Sequence, residues 1–313
     1  MRHILFAASC WGVSCLGVRV GNAQTVPSSR PIPGRALLDF PLGTLGEAPA
    51  LSTAAGGGLF NPAAILGPDP ARLRVSLAQL ERAGDAGAEG QVVAVVARVD
   101  RQTEAGLSFA RMSVGGGDRT GLGDPETQGS VPYGTWVLSG VAARRLGWAF
   151  RNRLGIGVAG RYRSAVSDTT RASVGAADVG VYADRLFGKL DARFAAASYL
   201  WLPGRESVER PSFHAAADVR VAGPDATREV RTGIAHGATR DGVRETFVYA
   251  AGRWRYAEGR LGVARASDFE GPQTHTRLAV TFHSSRFSVG VGRETSESNF
   301  GALYQFNLST LFK

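Results

Sequence analysis

Residues 300–312, FGALYQFNLSTLF, decide the fold. Ala302, Tyr304, Phe306, Leu308, Thr310 and Phe312 fall on one face, and Leu303, Gln305, Asn307, Ser309 and Leu311 on the other. Successive side chains of a strand point to opposite faces, so this is a strand with one apolar and one mainly polar side. At about 3.3 Å per residue it is roughly 40 Å long, far beyond the about 5–6 residues usual in soluble sheets. A tilted strand crossing a bilayer needs about 9–11 residues, and the aromatics suit a lipid-facing surface with interfacial girdles.

Working outward, Tyr304, Phe306, Leu308 and Phe312 resemble the C-terminal assembly signal of bacterial outer-membrane β-barrels, an aromatic near the end with apolar residues at every second position before it; here Lys313 follows. The resemblance implies the barrel-assembly machinery as a partner. At the other end, Arg2 and His3 precede an apolar run over residues 4–16, and Gly21-Asn22-Ala23 supplies small residues before Gln24. This reads as a signal peptide, residues 1–23, cleaved after Ala23. Both cysteines, Cys10 and Cys15, fall inside it, so the exported chain has no disulfide or thiolate chemistry.

No later stretch is long and apolar enough for a helical span. Glycine is abundant at 41 residues, and hydrophobic residues recur at every second position. Segments at 71–81, 89–100, 104–114, 133–145, 148–162, 173–185, 188–201, 212–222, 228–239, 244–256, 259–268, 274–283, 286–295 and 300–312 read as strands, an even number as bacterial barrels use. Alternation is weak at 89–100 and 259–268. Short connections (145–147, 186–188, 257–259, 284–285) alternate with longer polar ones (115–132, 164–172, 203–211, 240–243, 269–273, 295–299), with 223–227 long for its place in that pattern. Barrels alternate short periplasmic turns with longer outer loops. The expected fold is therefore an all-β, closed antiparallel transmembrane barrel of about fourteen strands over residues 71–313, in the outer membrane. Trp136, Trp148, Trp201, Trp254 and Tyr256 sit near strand ends, where girdles belong.

Residues 24–70 differ. Pro27, Pro31, Pro33, Pro41, Pro49, Pro62 and Pro68 bar this stretch from a ladder, while Leu42, Leu51, Phe60, Ile65 and others need burial. It reads as a plug for the lumen. Within it, Gly56-Gly57-Gly58-Leu59 runs into Phe60, Asn61, Pro62 and Ala63. This motif is similar to the Asn-Pro-Ala segment of the FadL family of hydrophobic-compound transporters, which the PorV-like outer-membrane proteins share. Those families carry an acidic run before the motif where this chain has residues 52–58, STAAGGG. The resemblance implies passive uptake of hydrophobic or amphipathic small molecules past a plug, without a cofactor. A PorV-like docking or secretion-associated barrel and a general porin are the alternatives.

The net charge is +9, and Lys189 and Lys313 are the only lysines among 36 basic residues. The arginines are scattered, not clustered on one helix or loop, so nucleic acid is not the expected partner; outer-membrane lipid, lipopolysaccharide and anionic ligands are. A charge facing lipid at the midplane costs about 2–4 kcal/mol. Arg74, Arg161, Arg193, Arg220, Arg253 and Arg277, opposite apolar faces, are therefore expected to face the lumen, as are Arg72 and Arg255. They either pair with carboxylates or contact an anionic amphipathic ligand. His214, His236, His275 and His283 have no metal spacing, no Gly-x-Ser-x-Gly elbow occurs, and Gly115-Gly116-Gly117 lacks the Lys-Ser/Thr of a phosphate loop. No enzyme, metal or cofactor is expected.

Overall fold

The computed structural model describes residues 41–67, 71–82, 87–115, 118–121, 124–147, 153–186, 191–202, 211–239, 244–268, 271–296 and 302–312. Residues 1–40, which include the expected signal peptide, lie outside them, as do Trp148 and Lys313. The strands are β1 (Leu73–Arg82), β2 (Ala88–Arg98), β3 (Thr103–Val114), β4 (Asp118–Gly121), β5 (Asp124–Ser130), β6 (Tyr133–Arg145), β7 (Leu154–Ser167), β8 (Thr170–Leu186), β9 (Ala192–Trp201), β10 (Ser212–Asp225), β11 (Arg228–Thr239), β12 (Arg244–Trp254), β13 (Ala257–Asp268), β14 (Gly271–His283), β15 (Phe287–Ser296) and β16 (Leu303–Phe312). Fourteen of them form one closed barrel in which each neighbours the next in chain order, and β4 with β5 forms a separate hairpin between β3 and β6. Closure joins β1 to β16 antiparallel, from Leu73 opposite Phe312 to Arg82 opposite Leu303. Closure leaves no unpaired edge, which a bilayer would punish.

The faces of β16 are those its alternation sets. Tyr304, Phe306, Leu308 and Phe312 point outward and exposed, while Gln305 is buried. The outer wall is apolar all round, with Val93, Leu107, Leu138, Val158, Val179, Ile234, Val248 and Leu261 exposed. Aromatics band both ends. Trp136 sits between Phe109 and Tyr162 near the loop end, tilted against both, with ring centroids 6.1 and 5.6 Å away. Trp254, Tyr256, Phe282, Phe287 and Phe312 are exposed at the turn end.

Three expectations about connections change. The stretch 164–172 is not a loop: β7 runs to Ser167 and β8 starts at Thr170, so a two-residue turn remains. Its Ser, Thr and Arg residues looked like loop, yet they alternate with Ala165, Ala172 and Val174, which cluster. Residues 269–273 shrink likewise, because β14 begins at Gly271. The stretch 223–227 becomes a two-residue turn, with β10 bulged between Arg220 and Asp225 to absorb the extra residues. The segment expected at 148–162 is described from Leu154. The weak alternation at 89–100 has a structural cause. In β2 the buried and exposed positions alternate cleanly, but both faces are apolar. Val92, Ala94 and Val96 face an apolar filling of the lumen instead of water.

That filling is residues 41–66, three short 3-10 turns (Pro49–Leu51, Ala55–Leu59, Pro62–Ile65) joined by bends. Leu42, Leu59, Phe60, Ile65 and Leu66 pack on Leu80, Val92, Val96, Met112 and Val141 of β1, β2, β3 and β6. Ala48, Ala50, Leu51, Ala63 and Ala64 pack with Tyr182, Ala195, Ala216, Phe247 and Tyr249 of β8, β9, β10 and β12. One segment touching the inward faces of strands on opposite sides of a closed barrel lies in its lumen.

Candidate functional site

The lumen is built from this segment and the charged inner wall. Asn61 is fully buried and extended (φ −150°, ψ 111°), the conformation a following proline favours. Its Oδ1 accepts from the Ala63 backbone N–H at 3.0 Å and caps the Pro62–Ile65 turn. Its Nδ2 donates to the Ala50 carbonyl at 2.9 Å and to the Val181 carbonyl of β8 at 3.0 Å. One side chain thus ties its own turn, an earlier turn and the wall. Glycines make the approach possible. A Cβ on Gly180 would stand 2.0 Å from Asn61 Oδ1, and one on Gly157 would stand 2.4 Å from the Ala63 nitrogen. Phe60, Pro62 and Ala63 are buried beside Asn61.

The six arginines all lie on inward positions of their strands. Arg74 pairs with Glu104 and donates to the Thr53 and Ile65 carbonyls, holding the end of the segment at the turn end. Arg161 pairs with Asp178, donates to the Gly58 carbonyl at 3.3 Å and lies 4.5 Å over the Tyr199 ring. Arg193 pairs with Asp218, which also accepts from Arg231 Nη2 at 2.8 Å and from the Tyr249 hydroxyl at 2.8 Å. Arg220 sits 3.4 Å from Asp191. Arg277 is gripped by Glu245 and Glu294, each at 2.9 Å, under Phe247. Among the described residues, the buried Arg253 Nε has no hydrogen-bond partner. Arg72 and Arg255 depart from the expectation. Arg72 is exposed ahead of β1, and Arg255 is an exposed turn residue with φ 55°. Paired carboxylates and carbonyls thus take up five of the six guanidiniums, the arrangement a low-dielectric lumen demands of charge.

Sequence reasoning missed Glu47, although it is the only charged residue between 41 and 67. Its carboxylate meets Arg193 Nη1 at 3.3 Å and Arg260 Nη2 at 3.8 Å, linking the segment to β9 and β13. Arg260 also donates to the Thr44 and Leu45 carbonyls at 3.3 Å, and to Glu258 at 2.7 Å. Burial pushes the Glu47 carboxyl above its ordinary range; Arg260 and Arg193 pull it back in part. At the loop end, Gln305 holds the start of the segment, accepting from the Gly43 N–H at 3.1 Å and donating to the Pro41 carbonyl at 3.3 Å.

A closed fourteen-stranded barrel with an apolar outer wall and a segment of its own chain in the lumen defines a membrane-barrel class. Solved structures share the barrel fold. The Ralstonia pickettii toluene transporter TbuX matches with a TM-score of 0.59 and 11% identity, over 86% of this chain and 99% of that one. The P. putida toluene transporter TodX matches with a TM-score of 0.50 and 11% identity, over 86% and 99%. A TodX variant described as a monoaromatic hydrocarbon channel gives 0.53 and 11%, over 86% and 97%. The barrel fold is that of these transporters' chains. No family model and no curated protein matches the sequence.

Proposed function

We propose that the protein is an outer-membrane barrel for passive uptake of small hydrophobic or amphipathic molecules, with residues 24–70 as its plug. The observation that carries this reading is the apolar half of the lumen. Barrel interiors are ordinarily polar, yet Leu80, Val92, Val96, Met112 and Val141 line one side and are covered by Leu42, Leu59, Phe60 and Leu66. An apolar inner wall covered by a segment that is hydrogen-bonded elsewhere suits a greasy solute better than a sugar or an ion. A filled lumen also speaks against an open porin. In this reading the signal peptide exports the chain, the assembly machinery recognises Tyr304, Phe306, Leu308 and Phe312, and the turn end faces the periplasm. A monoaromatic hydrocarbon is the first solute to try, given the names the structural neighbours carry.

The test is uptake of labelled toluene by cells that place the protein in the outer membrane. Uptake is expected above that of the empty vector, while uptake of a small sugar stays at background. Equal toluene uptake with the barrel present refutes the reading. Deleting residues 24–58 leaves every wall strand in place and is expected to give steady ion conductance in a planar bilayer where the full chain is nearly silent. Equal conductance would remove the plug.

A further inference from the structure

Two serines interrupt the apolar side of the lumen. Ser108 of β3 and Ser139 of β6 stand directly opposite each other on the inner face, mid-strand in both. They are buried, at 5% and 1% exposure. Among the described residues neither Oγ has a hydrogen-bond partner, so they do not bond each other either. Their surroundings are hydrocarbon. Ala110 and Val137 flank the pair on the loop side, Gly106 and Val141 on the turn side, and Ala94 of β2 is opposite Ser108. Alanine would fill the same wall with no hydroxyl to desolvate, and a buried hydroxyl left unmet is costly. Elsewhere on this inner wall the Ser76 hydroxyl is met by that of Ser309 at 2.7 Å.

The luminal segment passes this row of the wall as glycine. A Cβ on Gly56 would come 3.5 Å from Val92, on the loop side of the row, and one on Gly58 would come 3.6 Å from Val141, on the turn side. Residues 56–58 therefore cross the row with no side chain of their own to meet the hydroxyls. Charge narrows what else can meet them. Arg161 continues the row, opposite Ser139 on β7, but Asp178 and the Gly58 carbonyl already engage it. An anionic head would be buried there without a free cation. A neutral hydroxyl fits: one serine donates to its oxygen, and the other accepts its proton.

We propose that Ser108 and Ser139 form the specificity-determining subsite of the solute path, and that they select a neutral apolar molecule carrying one hydroxyl, a phenol, over the bare hydrocarbon. This deepens the uptake reading and rests on it. A site built to hydrogen-bond a hydroxyl discriminates against the analogue that lacks it. p-Cresol is toluene with one hydroxyl added, and p-toluate carries a carboxylate in its place. Binding of the three radiolabelled compounds to the protein in nanodiscs is measured by equilibrium dialysis, with empty nanodiscs subtracted. Wild type is expected to hold p-cresol about tenfold more tightly than toluene, and p-toluate no more tightly than toluene. The double variant Ser108→Ala/Ser139→Ala should lose that preference and bind toluene as wild type does. Its thermal midpoint should equal or exceed that of wild type, because no hydrogen bond is removed. A lower midpoint would make the hydroxyls structural and overturn the proposal. Equal binding of p-cresol and toluene by wild type, an undiminished preference in the variant, or tightest binding of p-toluate overturns it and leaves the uptake reading standing. Binding of none of the three overturns both.

Discussion

Removing the Asn61 side chain should loosen the luminal segment and spare the barrel. Asn61→Ala deletes the hydrogen bonds to Ala63, Ala50 and Val181. Each is worth about 0.5–1.5 kcal/mol net, more where a buried group is left unmet. The total is about 3 kcal/mol, roughly a hundredfold shift toward the unseated segment. Hydrogen exchange reads this directly. The amides of Phe60, Ala64 and Leu66 bond within the segment, to Gly57, Asn61 and Ala63, and their protection should fall by about the same two orders of magnitude. Amides in the β7–β8 ladder should keep theirs. Gly180→Ala should act similarly, because its Cβ would stand 2.0 Å from Asn61 Oδ1. Combined, the two should cost less than their sum by about 1–2 kcal/mol, since truncating Asn61 vacates the space the new methyl needs. Unchanged protection in Asn61→Ala, or strict additivity, would refute the assignment of Asn61 as the tie between segment and wall.

Phe312→Ala should lower the yield of assembled, heat-modifiable barrel more than Leu311→Ala, because Phe312 is exposed on the outer face and Leu311 points inward; equal yields would count against the assembly signal. Glu47 gives a pH dependence. Its carboxyl is held above its ordinary value of 4.5 by burial, so the seated segment binds the proton more tightly than the unseated one. Seating is therefore strongest below 4.5 and weakens as pH rises through the raised value; protection of residues 41–66 should increase on acidification, and Glu47→Gln should abolish the increase. Arg277→Met strands Glu245 and Glu294 and should cost about 3–5 kcal/mol in urea unfolding. The triple variant with both glutamates changed to glutamine should recover much of it, and no recovery would argue against a paired cluster.

The barrel was legible because lipid enforces a period of two. In β16, β14 and β7 the outward side must be apolar and the inward side has some freedom, so alternation shows in the residues themselves. In β2 it did not, because Val92, Ala94 and Val96 face residues 41–66 and not water. In β13 the inward positions between Arg260 and Ala266 are Gly262 and Ala264, small because Phe247 and Tyr249 fill the space; a Cβ on Gly262 would stand 2.4 Å from the Phe247 ring. The inward arginines were legible for the same reason of lipid exclusion, but their partners were not. Arg193 with Asp218 and Arg277 with Glu294 are directly opposed across neighbouring strands, a matter of register that alternation leaves open. Glu47 needed more still, since its place depends on how a segment without ladder or helix threads the lumen.

The two sides of that lumen resist displacement in different ways. Toward β1, β2, β3 and β6 the contacts are mostly apolar, through Leu42, Leu59, Phe60 and Leu66, apart from Arg74 on the Thr53 and Ile65 carbonyls and Arg145 on the Leu66 carbonyl at the turn end. Such contact is non-directional and worth about 25 cal/mol per Å², and an apolar solute entering there would re-cover the surface it exposes. Toward β8, β9 and β13 the segment is held by Asn61 on Val181, by the Tyr199 hydroxyl donating to the Leu59 carbonyl at 2.9 Å, and by Glu47 between Arg193 and Arg260. Pulling away from that side leaves buried hydrogen-bonding groups unmet, and no apolar solute can replace the lost partners. The cheaper motion keeps the segment on its ionic side and parts it from Val92, Val96 and Met112; on the uptake reading proposed above, an apolar solute's path would run along β2 and β3.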